Sequence, residues 1–139
     1  MYDTPIIAEK LHSLDRCLSR IKEHVPVSIK SLEDDFDVQD IITLNLQRAV
    51  QISVDIASHV LSEGFNVQAK TMAELFFLLA EKKLIDEELA VKLAKAVGFR
   101  NIAVHEYDSI NMTILYAIIT NELDCFHTFT QIILAFLNA

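Results

Sequence analysis

Arg100-Asn101-Ile102-Ala103-Val104-His105-Glu106-Tyr107 crowds an arginine, an asparagine, a histidine and a tyrosine together, just after one of only two glycines. An arginine stays charged and offers forked donors that match phosphate oxygens. A histidine titrates near neutral pH and can serve as proton donor or acceptor. A tyrosine hydroxyl can accept a covalent modification. These side chains can hold a phosphate, move a proton and be modified.

Spacing limits how they combine. On a regular helix, residues five apart are turned by about 140°, so Arg100 and His105 do not share a face. Asn101 and His105 are four apart and are neighbours. The asparagine amide is expected to hold one imidazole nitrogen and leave the other free. Arg100 joins the same site if the helix bends near Gly98, or if two copies of the chain face each other across a two-fold axis. Arginine, four residues, histidine is a weak pattern, because many helices carry both as solvated or core-satisfying residues. Asn101 beside the arginine and Tyr107 two past the histidine make it more specific.

The octet resembles the Arg-x4-His-x-Tyr signature of HepT-type toxins, in the HEPN superfamily of helical ribonucleases. Asn101 and Val104 match the family's usual residues. Gln47-Arg48-Ala49-Val50-Gln51 on a long apolar helix, Gly98-Phe99 before the arginine, and a closing amphipathic helix extend the likeness over nearly the whole chain. The resemblance implies the toxin of a type VII-like toxin-antitoxin system, a metal-independent endoribonuclease. It implies a homodimer with both motifs lining a cleft between subunits. It also implies an MntA-like minimal nucleotidyltransferase antitoxin that transfers AMP from ATP onto Tyr107. His105 would be the acid/base catalyst, Arg100 the phosphate and transition-state contact, and Asn101 a supporting residue. Elementary chemistry agrees with those roles. RNA carries its own nucleophile, the 2′-hydroxyl, so cleavage needs a proton acceptor, a proton donor and stabilisation of the pentacoordinate charge.

Other chemistries have less support. Cys125 and His127 are two apart and point to different helix faces, and His12, His24 and His59 have no acidic or thiol partners at ligand spacing, so no metal site is expected. Gly64 and Gly98 stand alone, so no Gly-rich phosphate loop exists, and no cofactor is expected. No Ser-x-Gly context marks a hydrolase nucleophile. His59 reads as packed at a polar edge, and Asp55 as an accessory candidate without a defined role. A competing reading makes the chain a non-catalytic helical module holding a nucleotidyltransferase partner, and a third makes it a structural dimerisation domain. No aromatic array or basic stripe indicates an RNA sequence preference.

The elements that position the octet follow from composition. A chain of 139 residues, 52% apolar, suits one domain with a real core. Two glycines and two prolines favour long helices over a sheet. Apolar runs fall short of a membrane span, the N-terminus lacks a signal-peptide layout, and Cys17 and Cys125 read as buried thiols, so a cytoplasmic protein is expected. A net charge of −8 argues against a broad nucleic-acid-binding surface but not against a small basic pocket.

Five helical segments are expected. The first starts with Thr4 as N-cap and Pro5 as first helical residue, carries Ile7, Leu11, Leu14, Leu18, Ile21 and Val25, and stops at Pro26. A polar linker spans Ser28 to Asp37. A second helix runs from about Val38 to Glu63 with Gly64 as its stop. Its apolar residues surround more than one face, which predicts a partner subunit on one side. Thr71 begins a third helix with a capping box, and Asp86 caps a fourth that leads into the octet. A last helix follows Asp108 or Asn111 towards Leu137, presenting Ile114, Ile118, Phe126, Phe129, Ile133 and Phe136. The expectation is a single all-α domain over 1–139, an up-and-down, HEPN-like, dimeric bundle of about five helices.

Overall fold

The computed structural model describes residues 4–138, which form seven α-helices and a 3₁₀ turn, with no strand among them. In order these are α1 (Thr4–Glu23), α2 (Ile29–Asp34), α3 (Phe36–Phe65), α4 (Met72–Glu81), α5 (Glu87–His105), the 3₁₀ turn (Tyr107–Ser109), α6 (Met112–Asn121) and α7 (Asp124–Asn138). The all-helical reading holds, but there are more helices than expected.

Two of the differences come from caps inside segments read as continuous. The polar linker contains α2, because Ser28 accepts from the Ser31 amide at 3.1 Å and starts a helix. Asp35 then caps α3, accepting from Val38 N at 3.1 Å, two residues before the expected start. Buried Gln39 clamps the junction, its Nε2 donating to Leu32 O at 2.8 Å and Glu33 O at 3.0 Å, so the last carbonyls of α2 are satisfied. The expected closing helix is two, α6 and α7, with Leu123 buried between them. Asn111 caps α6, accepting from Thr113 N and Ile114 N. The Tyr116 hydroxyl donates to Pro26 O at 3.2 Å and seats α6 on the α1–α2 turn. This placement leaves Ile114 exposed.

Helix ends shift too. Thr4 is already helical, and the position before it lies outside the described residues, so the N-cap assignment to Thr4 does not hold. Gly64 does not stop α3. The helix continues to Phe65 and exits through Asn66, whose left-handed φ of 52° turns the chain so that Val67 N donates to Leu61 O at 3.0 Å. Asparagine tolerates this region better than most residues with a Cβ. Thr71 and Asp86 cap α4 and α5 as expected, accepting from Glu74 N at 3.2 Å and Leu89 N at 2.8 Å.

The core lies around α3, which packs against α1, α2, α4 and α5. Phe76 of α4 and Phe129 of α7 meet edge to face, with centroids 5.9 Å apart. The central position of α3 means that the chain itself covers most of the apolar perimeter of this helix. Of its apolar residues Phe36 and Leu44 are exposed, Val38, Ile41, Ile52 and Phe65 are half-buried, and the chain's own helices cover the rest. No helix among the described residues is long and apolar enough to cross a membrane.

Candidate active site

Arg100 lies on α5, partly buried against α3. Its Nη2 donates to Gln51 Oε1 at 3.1 Å and its Nη1 to Asn101 Oδ1 at 3.1 Å. Gln51 Nε2 in turn donates to Asp55 Oδ1 at 3.0 Å, and Asp55 Oδ2 lies 3.6 Å from Lys10 Nζ on α1. Gln51 and Asp55 are four apart on α3, so one helix face presents both. The result is a polar chain across three helices, Lys10, Asp55, Gln51, Arg100. It fixes the guanidinium plane while leaving donors of a five-donor group free for an anion. Asp55 therefore touches the candidate site through Gln51, which sequence reasoning had quoted only as part of a helix pattern.

His105 ends α5, exposed, and makes no hydrogen bond among the described residues. No bond from Asn101 to His105 is seen among the described residues, and the Asn101 carbonyl oxygen accepts from the neighbouring guanidinium. Of the two routes by which Arg100 could join His105, a bend at Gly98 has no support within the chain. The α5 helix runs through Gly98 to His105 without interruption, and Gly98 has no positive φ. Residues 100 and 105 therefore stay turned by about 140°, and one chain does not bring Arg100 and His105 onto one face.

Tyr107 opens the 3₁₀ turn after α5, and its hydroxyl donates to Asp40 Oδ1 on α3. Burial pushes its pKa up to about 12, helped by the hydrogen bond and charge of Asp40, while the Thr43 hydroxyl acts in the opposite direction. The phenol is therefore neutral at physiological pH. Asp40 and Gln51 are eleven residues apart on α3, about 16 Å along the axis. The anchors of Tyr107 and Arg100 are thus well separated. Sequence reasoning missed Asp40, whose partner is 67 residues away, beyond any local pattern.

Other candidates have ordinary surroundings. His59 Nε2 lies 3.4 Å from Glu63 Oε1 one turn along the same helix, in keeping with a packed residue at a polar edge. Cys17 and Cys125 are buried free thiols, and burial raises the pKa of both, that of Cys125 to about 12, so neither is a ready nucleophile. His127 faces Lys22, with Nε2 2.6 Å from Nζ, rather than Cys125.

The family model for ribonuclease HepT-like proteins matches residues 14–133. The chain is 35% identical over 130 residues to the mRNA nuclease HepT of Shewanella oneidensis, covering 94% of this chain and 97% of that protein. It is 30% identical over 134 residues to the tRNA nuclease HepT of Aphanizomenon flos-aquae, covering 96% and 91%. Its fold is similar to that of a tri-AMPylated Shewanella oneidensis HEPN toxin in complex with an MNT antitoxin. There the TM-score is 0.87 at 36% identity, over 97% of this chain and 99% of the other.

Proposed function

The chain belongs to the HepT-like ribonucleases, and on that premise we propose that it is the toxin of a toxin-antitoxin pair, a metal-independent endoribonuclease held in check by AMP transfer to Tyr107. The observation that carries the catalytic assignment is the contrast between a tethered Arg100 and an untethered His105. Arg100 is held ready for a phosphate, and its fixed charge stabilises the charge that grows on the pentacoordinate phosphorus. His105 is free to take a proton from the 2′-hydroxyl or give one to the departing oxygen. Asn101 supports the guanidinium rather than the imidazole.

Because one chain does not set these two groups on a common face, the site is completed by a second copy. The surface available for that contact is the outer side of α5. Val91, Ala94, Lys95, Gly98, Asn101, Ile102 and His105 recur there at helical spacing, all exposed or half-buried, with Ile102 42% exposed. The partner that modifies Tyr107 is a minimal nucleotidyltransferase using ATP, as the AMPylated state of the similar toxin suggests.

Incubation of the purified chain with total RNA in EDTA tests the nuclease assignment. Cleavage by the wild type and none by His105→Ala is the expected result. Cleavage by His105→Ala at the wild-type rate would overturn it, and RNA bound but never cut would favour a binding module. Intact-mass measurement after incubation with the partner and ATP should show AMP on the wild type and none on Tyr107→Phe.

A further inference from the structure

Asp40 has no part in the nuclease roles above, yet its carboxylate holds the hydroxyl hydrogen of the residue to be modified. AMP transfer requires the phenol oxygen to lose that hydrogen as it attacks phosphorus. The charged groups acting on the phenol are the carboxyl groups of Asp40 from α3 and Asp108 from its own turn. No cation among the described residues acts on it to favour a preformed phenolate, so the proton has to leave during the attack, and a hydrogen-bonded carboxylate is in place to receive it. The side chain is also presented for reaction. Tyr107 is 44% exposed, and its turn is closed by Ser109 N donating to Glu106 O at 2.8 Å and Ile110 N to Tyr107 O at 3.2 Å, with Ile110 buried.

We infer that Asp40 is the general base for AMP transfer to Tyr107, so that the chain being modified supplies its own proton acceptor. The inference rests on the reading of Tyr107 as the acceptor. In this step the Tyr107 oxygen forms a bond to the α-phosphorus of ATP. The bond from that phosphorus to the oxygen bridging to the β-phosphate breaks, and pyrophosphate departs with the electron pair. The phenolic proton passes to Asp40 Oδ1, and from this exposed carboxylate to water.

The test measures initial rates of AMP addition by intact mass, with the partner nucleotidyltransferase saturating and ATP and Mg²⁺ present. Peptide mapping of the wild type locates the AMP. Asp40→Asn keeps the shape and removes the basicity, and its turnover rate should fall by about 10² to 10⁴. Its rate should then climb about tenfold per pH unit above neutrality, as hydroxide or prior phenol ionisation takes over, where the wild type stays flat. Asp40→Glu should recover part of the rate. Unmodified Asp40→Asn should cleave RNA as the wild type does, with the same helical signal, which separates loss of a base from loss of fold. Modification of Asp40→Asn at Tyr107 with the wild-type rate and pH profile overturns this inference alone. A low rate with an unchanged pH profile, unrecovered by Asp40→Glu, overturns it too, by reducing Asp40 to a structural contact. AMP on another residue of the wild type would instead bring down the reading of Tyr107, and this inference with it.

Discussion

A guanidinium on an open helix surface samples many rotamers, and each phosphate contact it makes then carries the entropy of fixing it. Arg100 is fixed beforehand by Gln51 and Asn101, with Asp55 and Lys10 behind. Arg100→Ala should therefore abolish RNA cleavage, and Gln51→Ala should lower it by up to about 10²-fold with the arginine still present, as expected of lost positioning. Initial-rate measurements on the two variants check this, and equal rates for Gln51→Ala and wild type would show that the tether does nothing. Tyr107 offers a test by pH. Its folded pKa, about 12, lies above the ordinary tyrosine value of 10, so the folded state keeps a proton that the unfolded state gives up. Stability from this source is complete below pH 10 and is lost as pH rises towards 12. Denaturation midpoints across that window should fall more steeply for wild type than for Tyr107→Phe. Arg100, Asn101, His105 and Tyr107 were legible in the sequence because they are neighbours along it. Gln51 and Asp40 were not legible as hydrogen-bond partners of Arg100 and Tyr107, since these lie 49 and 67 residues away and only packing brings them together.

Helix starts and stops were read best where a capping side chain stood alone ahead of an apolar run, as at Thr71 and Asp86. They were misread where polar residues clustered. Ser28 and Asp35 both cap, and the acids between them disguised α2 as linker. Glycine is a poor guide to where these helices end. Gly64 is helical while Asn66 takes the left-handed exit, and Gly98 sits inside an unbroken α5. A Cβ built at Gly98 meets nothing within 4 Å, so the fold of one chain does not require glycine there. Gly98→Ala should stabilise that fold by about 0.5–1 kcal/mol, because glycine is the more costly residue in a helix interior. Urea denaturation of a monomeric background such as Ile102→Glu would read this directly. A loss of stability there would mean that the helix needs the glycine after all. If Gly98 lies between two copies, the same methyl should weaken self-association while strengthening the single chain.

At the scale of the whole molecule, the apolar perimeter of the second helix is weak ground for a partner subunit, because the sequence cannot show that α3 is wrapped by α1, α2, α4 and α5. Among the apolar residues that the folded chain leaves exposed, Ile102 at 42% and Val104 at 41% lie within the motif and Ile114 at 54% lies shortly after it in the chain. Light scattering at micromolar concentration should show a dimer, and Ile102→Glu should separate it and silence cleavage with the helices intact. A stronger test follows from the angle between Arg100 and His105 on α5. If each site takes its arginine from one copy and its histidine from the other, a heterodimer of Arg100→Ala with His105→Ala carries one site with both residues intact and one with neither. Random reassociation of equal amounts makes half the dimers mixed, so activity should return to about a quarter of wild type from two inactive proteins. Sites built within single chains would gain nothing from mixing, since every site would still lack one group. The experiment therefore consists of unfolding the two variants together, refolding them, and measuring RNA cleavage against each variant refolded alone. Recovery near a quarter places the catalytic pair across the two-fold axis. No recovery, in a mixture shown by mass to contain heterodimers, would put Arg100 and His105 of one chain in the same site and require α5 to rearrange when RNA binds.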